Sequence, residues 1–122
     1  MKHVKHPLQL RVEKMLKRYG GFYNFQDILK CIADGAMQSF VLGDSWAVTQ
    51  VLTFPRKTVL NVVFVVGTLE ELELLSADLE FWAKERGIEY GMANGRSGWT
   101  RKAFPGWKLT SATFVKDFSN GS

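Results

Sequence analysis

The chain has one cysteine, Cys31, and two histidines, His3 and His6, among its 122 residues. A single cysteine excludes an internal disulfide and fits assembly in a reducing, intracellular setting. Cys31 stands beside Ile32 in a helix-like segment, where a small core side chain is expected rather than a reactive thiol. The histidines sit in a start expected to be unstructured, without acidic or cysteine companions at ligand spacing, so no metal site is expected. Long apolar runs are missing as well. None approaches the ~20 residues that cross a bilayer, so no membrane partner is expected. The opening MKHVKHPLQL also lacks the continuous apolar stretch of a secretory signal. Repeats, linkers and low-complexity segments are absent. What is present, 46% hydrophobic and 13% aromatic residues, suits one globular domain over 1–122, with flexible ends at 1–6 and 119–122.

The net charge of +4 is unevenly spread. Residues 1–20 carry six Lys or Arg (Lys2, Lys5, Arg11, Lys14, Lys17, Arg18) against Glu13, and residues 91–122 carry five against Asp117. Residues 67–90 reverse this, with seven acids against Lys84 and Arg86. A basic end with Lys14, Lys17 and Arg18 suits nucleic acid or an acidic protein surface. A solvated helix face accounts for the same residues.

The run KTVLNVVFVV, Lys57 to Val66, is apolar at consecutive positions and reads as a strand buried on both faces. Two helices are expected first. One spans residues 7–19, with Val12, Met15, Leu16 and Tyr19 on one face and Gly20-Gly21 as its stop. The other is capped by Asn24, with Phe25, Ile28, Leu29 and Ile32 on one face, and ends at Gly35. Strands are then expected at Gln38 to Leu42, Trp46 to Phe54 and Lys57 to Val66. Their short connections require antiparallel neighbours. A helix from Leu69 to Glu85 follows, striped by Leu72, Leu75, Leu79 and Trp82 and stopped at Gly87. The strand after it, Ile88 to Met92, is expected parallel to the one before it. A short helix in GRSGWTRKAF and a last strand, Lys108 to Phe118, complete the chain. Phe22, Tyr23, Phe25, Phe40, Phe54, Phe64 and Phe81 read as core, Tyr90 as core or cleft wall, and Trp46 and Trp82 as candidates for an interface.

Helix, helix, strand, strand, strand, helix, strand, helix, strand, with NGRSGWTRKAFPGWKLTSATFVKDF at its end, resembles the GNAT (GCN5-related N-acetyltransferase) fold. The GRSGW turn resembles that of phage-encoded GNAT-like proteins, and the likeness covers about Gln38 to Phe118. It implies an α/β (α+β) mixed sheet, an antiparallel N-terminal meander followed by strand-helix-strand-helix-strand. In active members acyl-CoA lies where the strands before and after the long helix splay apart. Its pyrophosphate is held by the loop and helix N-terminus between them, through a Q/R-x-x-G-x-G/A pattern. Small residues there let the backbone approach, and N–H groups and the helix dipole favour the anion.

Here that position reads VVGTLEELELL, with Gly67 alone and with Glu70, Glu71 and Glu73 at the helix start. Gln50 and Asn61, on the preceding strands, are neutral where a general base is usually Glu, Asp or His. The last helix has Trp99 and Phe104 but no tyrosine to protonate a thiolate. The reading at this level is a non-catalytic GNAT-like protein with a degenerate acyl-CoA motif and no cofactor. By the phage resemblance it would be a virion-associated structural component, internal or head–tail. Its partners would be other protein subunits, in the virion or the host cytoplasm.

Two alternatives stand beside it. One is an N-acyltransferase using acetyl-CoA through an atypical pyrophosphate loop at Val66, Gly67, Thr68 and Leu69. The other is a basic nucleic-acid- or host-protein-binding module. Its contacts would be Arg96, Trp99, Arg101 and Lys102 near the GRSGW turn, with Lys14, Lys17 and Arg18. The same turn also reads as a tight strand-to-helix connection in which Ser97 caps the helix and Trp99 packs on the sheet.

Overall fold

The computed structural model describes residues 7–18, 22–93, 106–107, 116 and 118–119. In chain order these form α1 (Pro7–Arg18), α2 (Phe25–Ala33), β1 (Gln38–Leu42), β2 (Ser45–Thr53), β3 (Thr58–Val66), α3 (Leu69–Glu85) and β4 (Tyr90–Ala93). Asn24 starts α2 as a full capping box. Its side chain accepts from the Asp27 N–H at 2.8 Å, while the Asp27 carboxylate accepts from the Asn24 N–H at 2.9 Å. Gly35, at φ +82, follows the last turn. Helix α3 starts at Thr68 and is ended by Gly87, at φ +74.

The sheet runs in the order β1-β2-β3-β4. β1 and β3 both lie antiparallel to β2, as two tight turns require, and β4 returns parallel to β3 because α3 carries the chain across. This is the mixed α/β class expected from the sequence. Under α3 lie Ala47, Leu60, Val62 and Val65 of the sheet with Leu72, Leu75, Leu79, Ala83 and Ile88. On the opposite face α1 and α2 bring Val12 and Ile28 against Trp46, Val48, Phe64 and Val66. Because both faces are covered, β3 is apolar at consecutive positions.

Several expectations are corrected. Leu29 is exposed, because Ile28 supplies the buried side of α2 and Cys31 and Ile32 are only half-buried. Phe22, Phe54 and Phe81 are exposed and not core. Trp46 is not an interface residue: it is buried, edge-on to Phe25 and Phe64, with its indole N–H donated to Ser39 Oγ at 2.7 Å. β4 begins at Tyr90, since Ile88 is instead buried beneath α3. Tyr19, the Gly20-Gly21 stop, the GRSGW helix and almost all of the last strand lie outside the described residues. No helix among the described residues is long and apolar enough to cross a membrane.

Candidate active site: the loop after strand β3

Along most of its length β3 pairs with β2 residue for residue, but Val48 faces Phe64 while Thr49 faces Val62. Val63 is therefore an extra residue, a β-bulge, and it resets the alternation of the strand. Val62 and Val65 both face α3, whereas Val63, Phe64 and Val66 pack on the α1–α2 side. A bulge bends its strand and increases the local twist. On the other edge of β3, β4 pairs in parallel from Val59↔Tyr90 to Val62↔Ala93, the last described residue of that strand.

Beyond the bulge β3 leads to the β3–α3 loop. Gly67 has φ +140, and a Cβ there would run into Ser45. Glycine is therefore required both for the backbone angle and for the close approach. Thr68 is the N-cap of α3, with its hydroxyl accepting from the Glu71 N–H at 3.3 Å. Thr68 to Glu71 reads T-x-x-E, the pattern of a capping box, but a third residue is inserted. The Thr68 N–H donates to Ser45 Oγ at 3.0 Å, and the Ser45 hydroxyl passes on to Glu71 Oε1 at 2.7 Å. Thr68 Oγ1 donates to the same carboxylate oxygen at 3.2 Å. The other carboxylate oxygen lies over Gly43 of the β1–β2 turn, where a Cβ would displace it. Ser45, fully buried, thus ties the start of α3 to the start of β2. Leu69 and Glu70 form the first turn of α3, where a helix has no intrahelical acceptors for its N–H groups.

On the other side of the bulge, Asn61 of β3 faces Gln50 of β2, and the Asn61 amide donates to Gln50 Oε1 at 3.1 Å. Asn61 Oδ1 is shielded from solvent and has no donor. Past it, Phe54, Arg56, Lys57, Val59, Tyr90 and Met92 line a depression of about 250 Å³. Tyr90 is a wall of this depression rather than core, with Lys57 Nζ 4.2 Å from its ring centroid.

Val66, Gly67, Thr68 and Leu69 stand at the end of β3, in the β3–α3 loop and at the start of α3. The structure adds Ser45, Glu71 and the Val63 bulge, which the sequence reading missed. Lys14 and Lys17 are exposed on α1, where they line a shallow surface depression with Leu10 and Glu13. Arg96, Trp99, Arg101 and Lys102, and the side chain of Arg18, lie outside the described residues. Among the described residues no cluster of His, Cys, Asp and Glu is placed to hold a metal ion.

No protein-family model matches this chain, and no curated protein matches it in sequence. Solved structures do match in fold. An aminoglycoside acetyltransferase, meta-AAC0020, from an uncultured soil metagenomic sample and in complex with trehalose, superposes with a TM-score of 0.65 at 11% identity, over 92% of this chain and 87% of that one. TTHA1254 of Thermus thermophilus superposes with a TM-score of 0.58 at 17% identity, over 94% of this chain and 97% of that one. These likenesses show a GNAT-like acetyltransferase fold.

The expectation of a non-catalytic chain is corrected by the first of them, since nearly the whole of this chain takes the fold of an acetyltransferase. The physical basis of that expectation also weakens. Glu71, counted there as a charge repelling pyrophosphate, is held by the Ser45 and Thr68 hydroxyls against the β1–β2 turn.

Proposed function

We propose that this protein is an N-acyltransferase that takes an acetyl group from acetyl-CoA, with its pyrophosphate at an atypical loop, Val66 to Leu69. The observation that carries this reading is the β3–α3 loop, where Gly67, at φ +140, packs against Ser45 and leads straight into the Thr68 cap of α3, with Glu71 tied back by the Ser45 hydroxyl. At about 3.3 Å per residue, Asn61 lies roughly 20 Å from Gly67, comparable to the reach of an extended pantetheine thioester.

Each part of the site has a task in this reading. Gly67 lets the backbone come close, and the Leu69 and Glu70 N–H groups, at the positive end of α3, meet the phosphates. The thioester lies beside the bulge of β3, where a main-chain N–H would polarise its carbonyl. The amine's electron pair forms the C–N bond, the C–S bond breaks, and its pair leaves on sulfur. The proton lost from the amine passes to water, and the thiolate takes one up or leaves charged. Binding orders the two reactants, which by itself supplies much of the acceleration in such transfers. Virion association and contacts through Arg96 to Lys102 or the basic α1 are carried by the sequence resemblance and the charge pattern alone.

Isothermal titration with acetyl-CoA and with CoA, together with release of free CoA thiol over a panel of amines, tests the proposal. Micromolar binding and amine-dependent thiol release are expected. Absence of heat at millimolar acetyl-CoA would overturn it.

A further inference from the structure

We propose that copies of this chain associate head to tail, the outer face of α3 on one seating in the depression between the β2–β3 turn and β4 of the next. The proposal does not depend on the acyltransferase reading. Three observations carry it.

The first is an exposed apolar ridge. Leu72, Leu75, Leu79 and Ala83 turn the inner side of α3 to the sheet. At about 100° per residue, Leu74 and Phe81 fall on the opposite side, two turns apart. Their exposures are 59% and 65%. A helix that covers a sheet with one stripe keeps polar residues on its outer face. Here that face carries Leu74 and Phe81, with the small, exposed Ala77 between them.

The second is a matching hollow. Phe54, Tyr90 and Met92 line the depression of about 250 Å³. A cavity of about 150 Å³ already takes a benzene ring, so the hollow has room for the Phe81 side chain. Phe54 and Tyr90, both exposed, offer it aromatic neighbours. The hollow and the ridge lie on opposite faces of the sheet. Leu60 faces α3, so Val59 faces away from it, and Tyr90 stands beside Val59 in register.

The third is charge. Glu70, Asp78 and Glu85 flank the ridge on exposed sites. Arg56 and Lys57 line the hollow, and among the described residues no acid lines it with them. Opposite charges thus surround two apolar centres, an arrangement that selects a partner and fixes its register. Pairing ridge with ridge, or hollow with hollow, would set like charges together. Since both halves are carried by one molecule, the fitting partner is a second copy. A contact between unlike faces leaves one of each free, so association continues to a ring or an open filament. One helix face on one hollow is smaller than the about 1,200 Å² of a standard interface, so each link is weak.

The test is light scattering and sedimentation of the full chain up to millimolar concentration, in low and in half-molar salt, with and without a DNA duplex. In low salt the mean mass should rise with concentration, and high salt should weaken the link at least about fivefold. Phe81→Lys spoils the ridge and Arg56→Glu with Lys57→Glu spoils the hollow, so each variant alone should stay monomeric. All three positions are exposed, and the fold should tolerate the changes. Mixed in equal amounts, the two variants retain one intact ridge and one intact hollow. They should form a dimer and nothing larger, which also shows that both are folded. A wild-type chain that stays monomeric at millimolar concentration would overturn the proposal. So would association that survives in either variant, or two variants that fail to pair. Duplex binding without self-association, lost in the Arg56→Glu, Lys57→Glu variant, would assign the hollow to nucleic acid instead.

Discussion

Strand β2 is two strands in one. From Ser45 to Thr49 every residue is buried, on both faces, whereas from Gln50 to Thr53 exposed and half-buried residues alternate. The same division runs across to β3, where the upper part lies between α3 and the α1–α2 pair and the lower part borders an open depression. The bulge at Val63 sits at the boundary. The comparison teaches that one sheet can be closed scaffold at one end and open surface at the other, with a single extra residue near the boundary.

The comparison breaks if the buried half does not dominate stability. Leu79→Ala, which empties a fully buried site under α3, should cost about 3 kcal/mol in urea unfolding. Deleting Val63 tests the boundary itself. Val62 and Phe64 would then alternate as in a regular strand, so folding should survive. The local bend of β3 should be lost, with acetyl-CoA affinity falling more than about tenfold by titration, roughly 1.4 kcal/mol. Ser45→Ala removes both hydroxyl links to the start of α3 and should cost about 1.5 kcal/mol. Glu71→Gln keeps hydrogen-bonding capacity while removing a charge near the phosphate end. Acetyl-CoA should bind about fivefold tighter, a gain of about 1 kcal/mol. Val51→Ala, in the exposed half, should change stability by less than about 0.5 kcal/mol, and a larger loss would erase the contrast.

Much of the scaffold was legible in the sequence, because periodicity and punctuation are local. The stripe Leu72, Leu75, Leu79 marked the length and buried side of α3, and Gly87 marked its end. The consecutive apolar residues of β3 announced burial on both faces. That same property hid the bulge, since valines suit either face and a phase shift among them leaves no trace in residue type. The site was harder still. Ser45 meets Glu71 across 26 positions and Thr68 across 23, and no spacing rule links such distant residues. Only the T-x-x-E pattern at Thr68–Glu71 hinted that the glutamate was engaged. Counting it as a free charge led to the non-catalytic reading. The exposed Phe22, Phe54 and Phe81 show the limit of reading aromatics as core by type alone.

The link from Ser45 through Thr68 to Glu71 has a consequence for how the molecule assembles itself. All three residues belong to one continuous stretch, β2, β3 and the first turn of α3, so their meeting requires only the closing of short loops. Joining Val12 of α1 to Phe64 of β3 requires a longer one. Contacts of low sequence separation form soonest in small proteins. The end of the molecule proposed to receive a nucleotide is thus also the end that can take shape first, before the N-terminal helices close over the sheet.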